Sequence, residues 1–272
     1  MKKKGLLSSR AIFIYIAMLM ALMVYIFGLD TQTTSDKKVT APFTQNKQYK
    51  TKKDETSGMF DGLKKEDLSE VDFDERLDKI AAKVGDDIFI RIFKKESLLE
   101  VWIKPEHEYV LFKRYPICKY SGYLGPKLKQ GDKQSPEGFY KVTKRFLNPN
   151  SKYHLAFNLG YPNKYDRSHK RTGSYLMVHG ECVSIGCYAM TNEKIEEIYK
   201  LVDKSLKKGQ KYVQVHAHPF FMTAENMAQY QDSKWYDFWT QLKEGYDYFE
   251  AEKLPPTVKV KNKHYTIHEA NQ

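Results

Sequence analysis

Short runs of aromatic and β-branched residues constrain this fold more than any other feature of the sequence. Four of them lie between positions 88 and 142: Ile88–Phe93, Leu98–Ile103, Tyr109–Phe112 and Phe139–Val142. Two more follow, Tyr175–Val178 and Lys211–His216. Runs of this length and composition, separated by turn-forming residues, are typical of β-strands. We therefore predict a sheet-rich core.

Helical spacing of apolar residues appears on both sides of these strands. It predicts one helix from about Leu63 to Ala82, a second from about Asn192 to Lys208 that stops at Gly209, and an aromatic third around Trp235 to Phe249. The predicted fold class is therefore α+β and β-rich, with flanking helices and a C-terminal helical extension. We expect an N-terminal helical segment at 61–85, a central domain at 86–222 and a C-terminal cap or small lobe at 223–272.

The N-terminus carries a targeting signal. No charged residue occurs from Ala11 to Leu29, and this run follows Lys2–Lys4 and Arg10. A membrane helix needs about 20 apolar residues, and the run exceeds the hydrophobic region of a typical signal peptide. No clear small-x-small cleavage site follows it, so an uncleaved anchor over 1–30 is favoured over a cleaved signal peptide and over a buried core helix. Since the basic flank stays cytoplasmic, the body of the protein is expected outside the cytoplasm, in the periplasm and tethered to the inner membrane.

A polar segment at 31–60 separates this anchor from the folded body. It is rich in Thr, Lys, Gln and Asp and has few large aliphatic residues, so it cannot bury enough surface to offset the entropy of ordering. The net charge of +11 indicates either affinity for an anionic polymer or a solvated, lysine-rich surface, and the scattered lysines favour the second. Export argues against nucleic acid as a partner.

A thiol and an imidazole lie eight residues apart in His179-Gly-Glu-Cys-Val-Ser-Ile-Gly-Cys187. Nucleophilic cysteine chemistry needs a thiolate, a neighbouring base and backbone N–H groups that face an oxyanion, and this segment can supply all three. Cys187 follows a glycine, whereas the alternative nucleophile, Cys182, does not. The structural alternatives are a buried cysteine and an ordinary hydrogen-bonded histidine. If His179 activates the thiol, Cys187 should be more thiolate-like than a free cysteine.

The chain has three cysteines, which is an odd number for an exported protein. Cys118 and Cys182 can pair and leave Cys187 free, or both can be buried thiols; the sequence leaves the two alternatives open. His216 and His218 share one face of a predicted strand, as a metal pair would, but no third ligand has a suitable spacing. We therefore predict neither a metal nor another cofactor. Two clusters of turn formers, 121–126 and 131–138, predict exposed loops that shape a groove.

The chain resembles the YkuD-type L,D-transpeptidases, in which His-Gly precedes Ser/Thr-x-Gly-Cys. His179-Gly180 and Ser184-Ile-Gly186-Cys187 match that pattern, and 115–126, 135–140, 157–163 and 245–249 are similar to the YafK-like branch. The resemblance implies a β-sandwich-like core, Cys187 as nucleophile, His179 as general base and acid, and Ser184, Gly186 and Gly180 as residues that shape the site and its oxyanion hole. Substrate contacts are expected from three further residues: Tyr123, Arg171 and Asn158.

The same resemblance implies attack on peptidoglycan stem peptides at an L-centred diamino acid, with a thioester intermediate. An amine acceptor would give a cross-link or an attached wall-linked protein, whereas water would make the enzyme a carboxypeptidase or an amidase. The common pattern has an Arg two positions after the cysteine, and Ala189 stands there. This departure leaves the acceptor open. A non-catalytic wall-binding or anchoring module is the alternative from another class.

Overall fold

The computed structural model of the chain describes residues 70–270. The predicted anchor, the polar linker and the start of the predicted first helix therefore lie outside the described residues. Within residues 70–270, no helix has both the length and the apolar character that a membrane span requires.

Five helices and eleven strands follow one another along this part of the chain. In order they are α1 (Phe73–Lys79), β1 (Asp87–Phe93), β2 (Leu98–Lys104), β3 (Val110–Pro116), β4 (Gly138–Val142), a 3-10 turn (Lys144–Phe146), β5 (Leu147–Ser151), β6 (His154–Asn158), α2 (Lys164–Ser168), β7 (Met177–His179), β8 (Tyr188–Ala189), α3 (Asn192–Lys208), β9 (Val213–His218), α4 (Ala224–Gln229), α5 (Tyr236–Glu252), β10 (Thr257–Lys261) and β11 (His264–His268). The predicted α+β, sheet-rich fold class is confirmed.

The larger sheet has the strand order β3-β2-β1-β9-β4 and is buried on both faces. β1 and β9 are parallel, and the other pairs are antiparallel. Along β1, the isoleucines at 88, 90 and 92 pack in one core with the apolar side of α3, while Phe89 and Phe93 pack with residues of α5. A strand covered on both faces reads as a continuous apolar run, which is why β1 is so clear in the sequence.

The smaller sheet has the order β5-β6-β7-β8 and shares the first core with the larger one. Phe157 on β6, Val178 on β7 and Tyr188 on β8 are all fully buried there. β7 and β8 are parallel, which is possible because the chain loops away from the sheet between His179 and Tyr188 before it returns. That loop contains the predicted catalytic segment.

The C-terminal segment packs against the face of the larger sheet that lies opposite α3. Trp239 and Leu242 of α5 share a core with Phe93, and Tyr265 of β11 lies edge-on to Phe139 at 4.8 Å. The predicted boundary between residues 222 and 223 falls between β9 and α4.

Several elements differ from their predicted extents. Helix α1 begins after Asp72, whose carboxylate accepts the N–H groups of Asp74 and Glu75, and it ends at Lys79, because Ala81 has a left-handed φ of 52°. The predicted strand at 175–178 starts at Met177, since Tyr175 also has a left-handed φ, of 56°.

Candidate active site

The parallel pairing of β7 with β8 brings the two ends of the His179–Cys187 segment together. Val178 is paired with Tyr188 and His179 with Ala189, so Cys187, one residue before β8, lies opposite Met177. The Met177 N–H points to Cys187 Sγ at 3.4 Å, and the sulfur lies 3.6 Å from the Tyr175 carbonyl oxygen. The thiol and the imidazole are thus carried by adjoining strands.

A tight loop and a disulfide hold this segment closed. The Met190 N–H donates to the His179 carbonyl at 2.7 Å, and the Cys182 N–H donates to the Met190 carbonyl at 3.3 Å. Cys118 and Cys182 form a disulfide, with their Cα atoms 5.3 Å apart. The three cysteines all lie in the described part of the chain, and Cys187 is the unpaired one. The structure thereby selects one of the two cysteine arrangements that the sequence left open.

His179 is buried and its tautomer is set by the backbone. Its side chain is only 2% exposed, and Nδ1 lies 2.6 Å from the carbonyl oxygen of Gly180. Because a carbonyl can only accept, Nδ1 carries the proton and Nε2 has the free lone pair. Burial lowers the pKa of His179, and the Gly180 carbonyl offsets this in part. The imidazole is therefore neutral near pH 7 and able to take a proton at Nε2.

Burial raises the pKa of the Cys187 thiol, which is the opposite of the predicted activation. The Met177 N–H and the charge of Lys127 lower the pKa, but less than burial raises it. The following helix does not reverse this, because β8 intervenes and α3 begins only at Asn192. At rest the thiol and the imidazole are thus both neutral, and the thiol proton must leave during the reaction.

Three serines hold the turn that presents Cys187. The carbonyl oxygen of Cys187 accepts from Ser184 Oγ at 2.7 Å and from Ser135 Oγ at 3.0 Å. Ser184 Oγ in turn accepts the Gly186 N–H at 3.1 Å and the Ser121 hydroxyl at 2.9 Å. Sequence reasoning identified Ser184 and missed Ser121 and Ser135, although both occur in the two clusters of turn formers.

Those two clusters form the predicted loops, but the loops are exposed only in part. The buried ammonium of Lys94 lies within 3.1 Å of the carbonyl oxygens of Tyr123, Gly125 and Ser135 and 3.0 Å from the Glu137 carboxylate. Turn-forming residues predict a change of direction but not its burial, and here an internal lysine folds the loop inward. Through Ser121 and Ser135 the loop is bonded to the turn that presents Cys187.

The three residues predicted to bind substrate lie in different surroundings. Tyr123 is 86% exposed. Asn158 lies opposite Met177 in the pairing of β6 with β7, and its Oδ1 accepts the Gly160 N–H at 2.8 Å. Arg171 is buried, and its guanidinium pairs with Asp166 at 2.9 Å. The guanidinium that was predicted to contact substrate is therefore engaged by a carboxylate of the protein itself.

Small residues are required where the backbone segments approach most closely. A Cβ on Gly180 would lie 2.5 Å from Asn192 Oδ1, and Gly186 has a φ of 151° and lies against Leu176. Ala189 is fully buried, and its N–H and carbonyl both bond to the backbone of Lys119. This site has no space for an arginine side chain at position 189.

The two histidines weighed as a metal pair lie inside an aromatic cluster. His216 is edge-on to Phe89 and Phe139 at 4.7 and 4.5 Å, and His218 stacks on Phe93. Burial lowers the pKa of both, so both are neutral. Across residues 70–270, no group of three or more His, Cys, Asp or Glu residues is arranged to hold a metal ion.

The chain is similar in sequence to a known protein family and to named proteins of that family. The sequence model of YkuD, the L,D-transpeptidase catalytic domain, matches residues 87–215. The chain is 53% identical over 184 residues to the Escherichia coli K12 protein named "Putative L,D-transpeptidase YafK". The aligned region covers 68% of this chain and 75% of the E. coli protein. Its counterpart in E. coli O157:H7 matches equally.

Two solved structures are similar over part of the fold. The helical cell shape determining protein Pgp2 from Campylobacter jejuni has a TM-score of 0.38 and 18% identity, over 70% of this chain and 81% of its own. Bd1075 from Bdellovibrio bacteriovorus has a TM-score of 0.36 and 22% identity, over 60% of each chain. From the sequence match and the extent of the YafK relatives, the chain belongs to the YkuD family of L,D-transpeptidases.

Proposed function

We propose that this chain is an exported, cysteine-dependent L,D-transpeptidase-type enzyme that acts on the stem peptides of peptidoglycan. The observation that carries the proposal is the position of Cys187, an unpaired thiol beside the strand of a buried His179 whose Nδ1 is held by a carbonyl. Family membership supplies the reaction class, and the name of the E. coli relative agrees with it.

The first half of the reaction forms a thioester. Cys187 Sγ gives its proton to His179 Nε2 while the sulfur attacks the carbonyl carbon of the diamino acid. The Gly186 N–H is donated to Ser184 Oγ, so we assign the oxyanion to the backbone N–H of Cys187, at the end of the same turn. The tetrahedral intermediate then breaks its C–N bond, and His179 returns the proton to the leaving amine. Since both groups are neutral at rest, transfer of the thiol proton to His179 is part of this first half-reaction.

The second half depends on what attacks the thioester. An amine gives a new peptide bond, either a cross-link or an attached wall-linked protein, whereas water gives a hydrolysed stem and makes the enzyme a carboxypeptidase or an amidase. The buried Ala189 supports keeping the hydrolase as the second candidate, because the cation that the common family pattern has at this position is replaced by a methyl group.

Location outside the cytoplasm is part of the proposal. The charge-free run near the N-terminus would anchor the chain in the inner membrane, with the folded body in the periplasm. The Cys118–Cys182 disulfide supports this location, since such bridges persist in oxidising compartments and are rare in the cytosol. Cell fractionation tests it: recovery of the full chain in the soluble cytoplasmic fraction would contradict the proposal.

Mass spectrometry of muropeptides distinguishes the outcomes. The folded protein is incubated with stem peptides in the presence and absence of a second peptide that offers an amine. A product that gains the amine supports transfer, and a product that gains water supports hydrolysis. Cys187→Ala should abolish both. Full activity of Cys187→Ala would show that the nucleophile is wrongly assigned.

A further inference from the structure

The turn between β5 and β6 brings an aromatic ring onto the imidazole of His179. The ring centroid of Tyr153 lies 4.8 Å from that of His179, and the two planes are 35° apart. Tyr153 is 48% exposed, whereas His179 is almost completely buried. The tyrosine ring is therefore a half-exposed cover on a buried base.

Backbone contacts fix this ring in place. The carbonyl oxygen of Tyr153 accepts the Gly180 N–H at 3.1 Å, and the Tyr153 N–H donates to Ser151 Oγ at 3.0 Å. A Cβ on Gly180 would lie only 3.1 Å from that same carbonyl oxygen. The absence of a side chain at position 180 thus lets the turn dock beside His179, and the docking sets the position of the ring.

His179 becomes a cation in the proposed reaction, in a site that disfavours charge. Titratable side chains on the neighbouring elements include Glu181 in the next turn, His154 on β6, and Glu193 and Glu196 on α3. The Glu181 carboxylate accepts from Asn192 at 3.0 Å, and Glu196 pairs with His154 at 2.6 Å. The Glu193 carboxylate bonds with the Thr191 hydroxyl, so all three carboxylates are engaged with other partners. The face of an aromatic ring, however, is electron-rich and attracts a cation.

We propose that Tyr153 is a positioning residue of this site, whose ring face orients the His179 imidazole and stabilises the imidazolium that forms when it takes the Cys187 proton. The inference rests on the proposed function, in which His179 is the base. It extends that function to a residue outside the His-Gly and Ser-x-Gly-Cys segments.

The charge state of His179 tests the proposal directly. NMR titration of the histidine ring signals is performed in a Cys187→Ala background, which removes coupling to the thiol, and the His179 signal is assigned by its loss in His179→Gln. Tyr153→Leu should lower the His179 pKa by about half a unit to one unit, because that is the size of a cation–π contact at a partly buried site. Tyr153→Phe keeps the ring and should restore the parent value. Tyr212→Leu removes a tyrosine that contacts Lys141 instead and is the matched control.

Steady-state kinetics in the parent background provide the second measurement. Tyr153→Leu should lower kcat about three- to tenfold, the rate equivalent of that pKa change, and leave KM unchanged, because the ring acts on the protonated base and not on substrate. The proposal is overturned if Tyr153→Leu titrates like the parent, or if Tyr153→Phe is as impaired as Tyr153→Leu, since the hydroxyl would then be the active group. Tyr153→Met repeats the test if the leucine variant melts early. The titration needs no turnover, so it stays readable even if Cys187→Ala proves active and the proposed function fails.

Discussion

Replacement of Lys94 by methionine should destabilise the whole fold and not only the loop that it contacts. Lys94 and Glu137 are both fully buried, with 3.0 Å between Nζ and Oε1. Loss of one partner from a buried ion pair costs about 3–5 kcal/mol, because the remaining charge stays in a medium that cannot solvate it. Burial already lowers the pKa of Lys94, and Glu137 offsets this only in part.

The surrounding contacts place the expected cost at the lower end of that range. Glu137 retains two donors, the Gly125 N–H at 2.7 Å and the Trp239 indole at 2.8 Å. Gln134 Nε2 still donates a hydrogen bond to the Gly125 carbonyl oxygen at 2.7 Å. The Ser135 carbonyl loses its 3.1 Å contact with Lys94, which adds about 1 kcal/mol. We therefore expect Lys94→Met to lower the free energy of unfolding by about 3–4 kcal/mol.

Urea unfolding followed by tryptophan fluorescence measures this change. Lys95→Met alters the adjacent, exposed lysine and should stay within about 0.5 kcal/mol of the parent. Lys94→Met combined with Glu137→Gln removes the stranded charge and should recover about 1–2 kcal/mol. A cost below about 1 kcal/mol for Lys94→Met, or a double variant no more stable than the single one, would refute the argument.

Three further predictions concern stability in acid, the alkylation of Cys187 and the stability of a Gly180 variant. Burial alone would raise the pKa of Glu250, but Arg91 and Lys253 hold it at about 2. The contribution of Glu250 to stability is therefore present above pH ~5 and is lost as the pH falls toward 2. Over that interval Glu250→Gln should lose less stability than the parent, by up to about 3 kcal/mol, and equal acid sensitivity of the two proteins would contradict this. Alkylation of Cys187 with iodoacetamide should have its midpoint above that of a free cysteine peptide, and a lower midpoint would mean an activated thiolate. Gly180→Ala should lower the free energy of unfolding in urea by about 1–3 kcal/mol, because the added Cβ meets Asn192 Oδ1. Asn192→Ala in the same chain should recover part of this loss, and no recovery would contradict the explanation.

The sequence predicts the elements in which the buried residues are apolar and follow a regular pattern. β1 and α3 have strong apolar patterns because each packs on the main core, and the predicted α3 has the same limits as the observed helix, Asn192–Lys208. β5 has the sequence Leu-Asn-Pro-Asn-Ser with no buried residue, and β8 has only two residues, so neither has a pattern to detect. The predictions fail where backbone pairing alone defines a strand.

The candidate site is predicted only in part, for a similar reason. His179, Ser184 and Cys187 are close in sequence, so their association can be read locally. The contact from Ser135 crosses 52 positions and that from Tyr153 depends on a hairpin, and no local pattern predicts either. The pKa of Cys187 was predicted in the wrong direction, because burial outweighs the neighbouring donors and a sequence does not reveal how deeply one sulfur lies.

The order of oxidation and folding decides whether this protein keeps its proposed nucleophile. Three cysteines allow three single bridges, and two of these consume Cys187. In an unfolded chain, Cys182 meets Cys187 across five positions, whereas the native bridge spans 64, a difference of about 2 kcal/mol in loop-closure entropy in favour of the wrong pair. Contacts around β7 and β8 must therefore form before the thiols are oxidised. A chain that is oxidised while unfolded would trap itself in an inactive isomer, and thiol–disulfide exchange would then be needed to recover it.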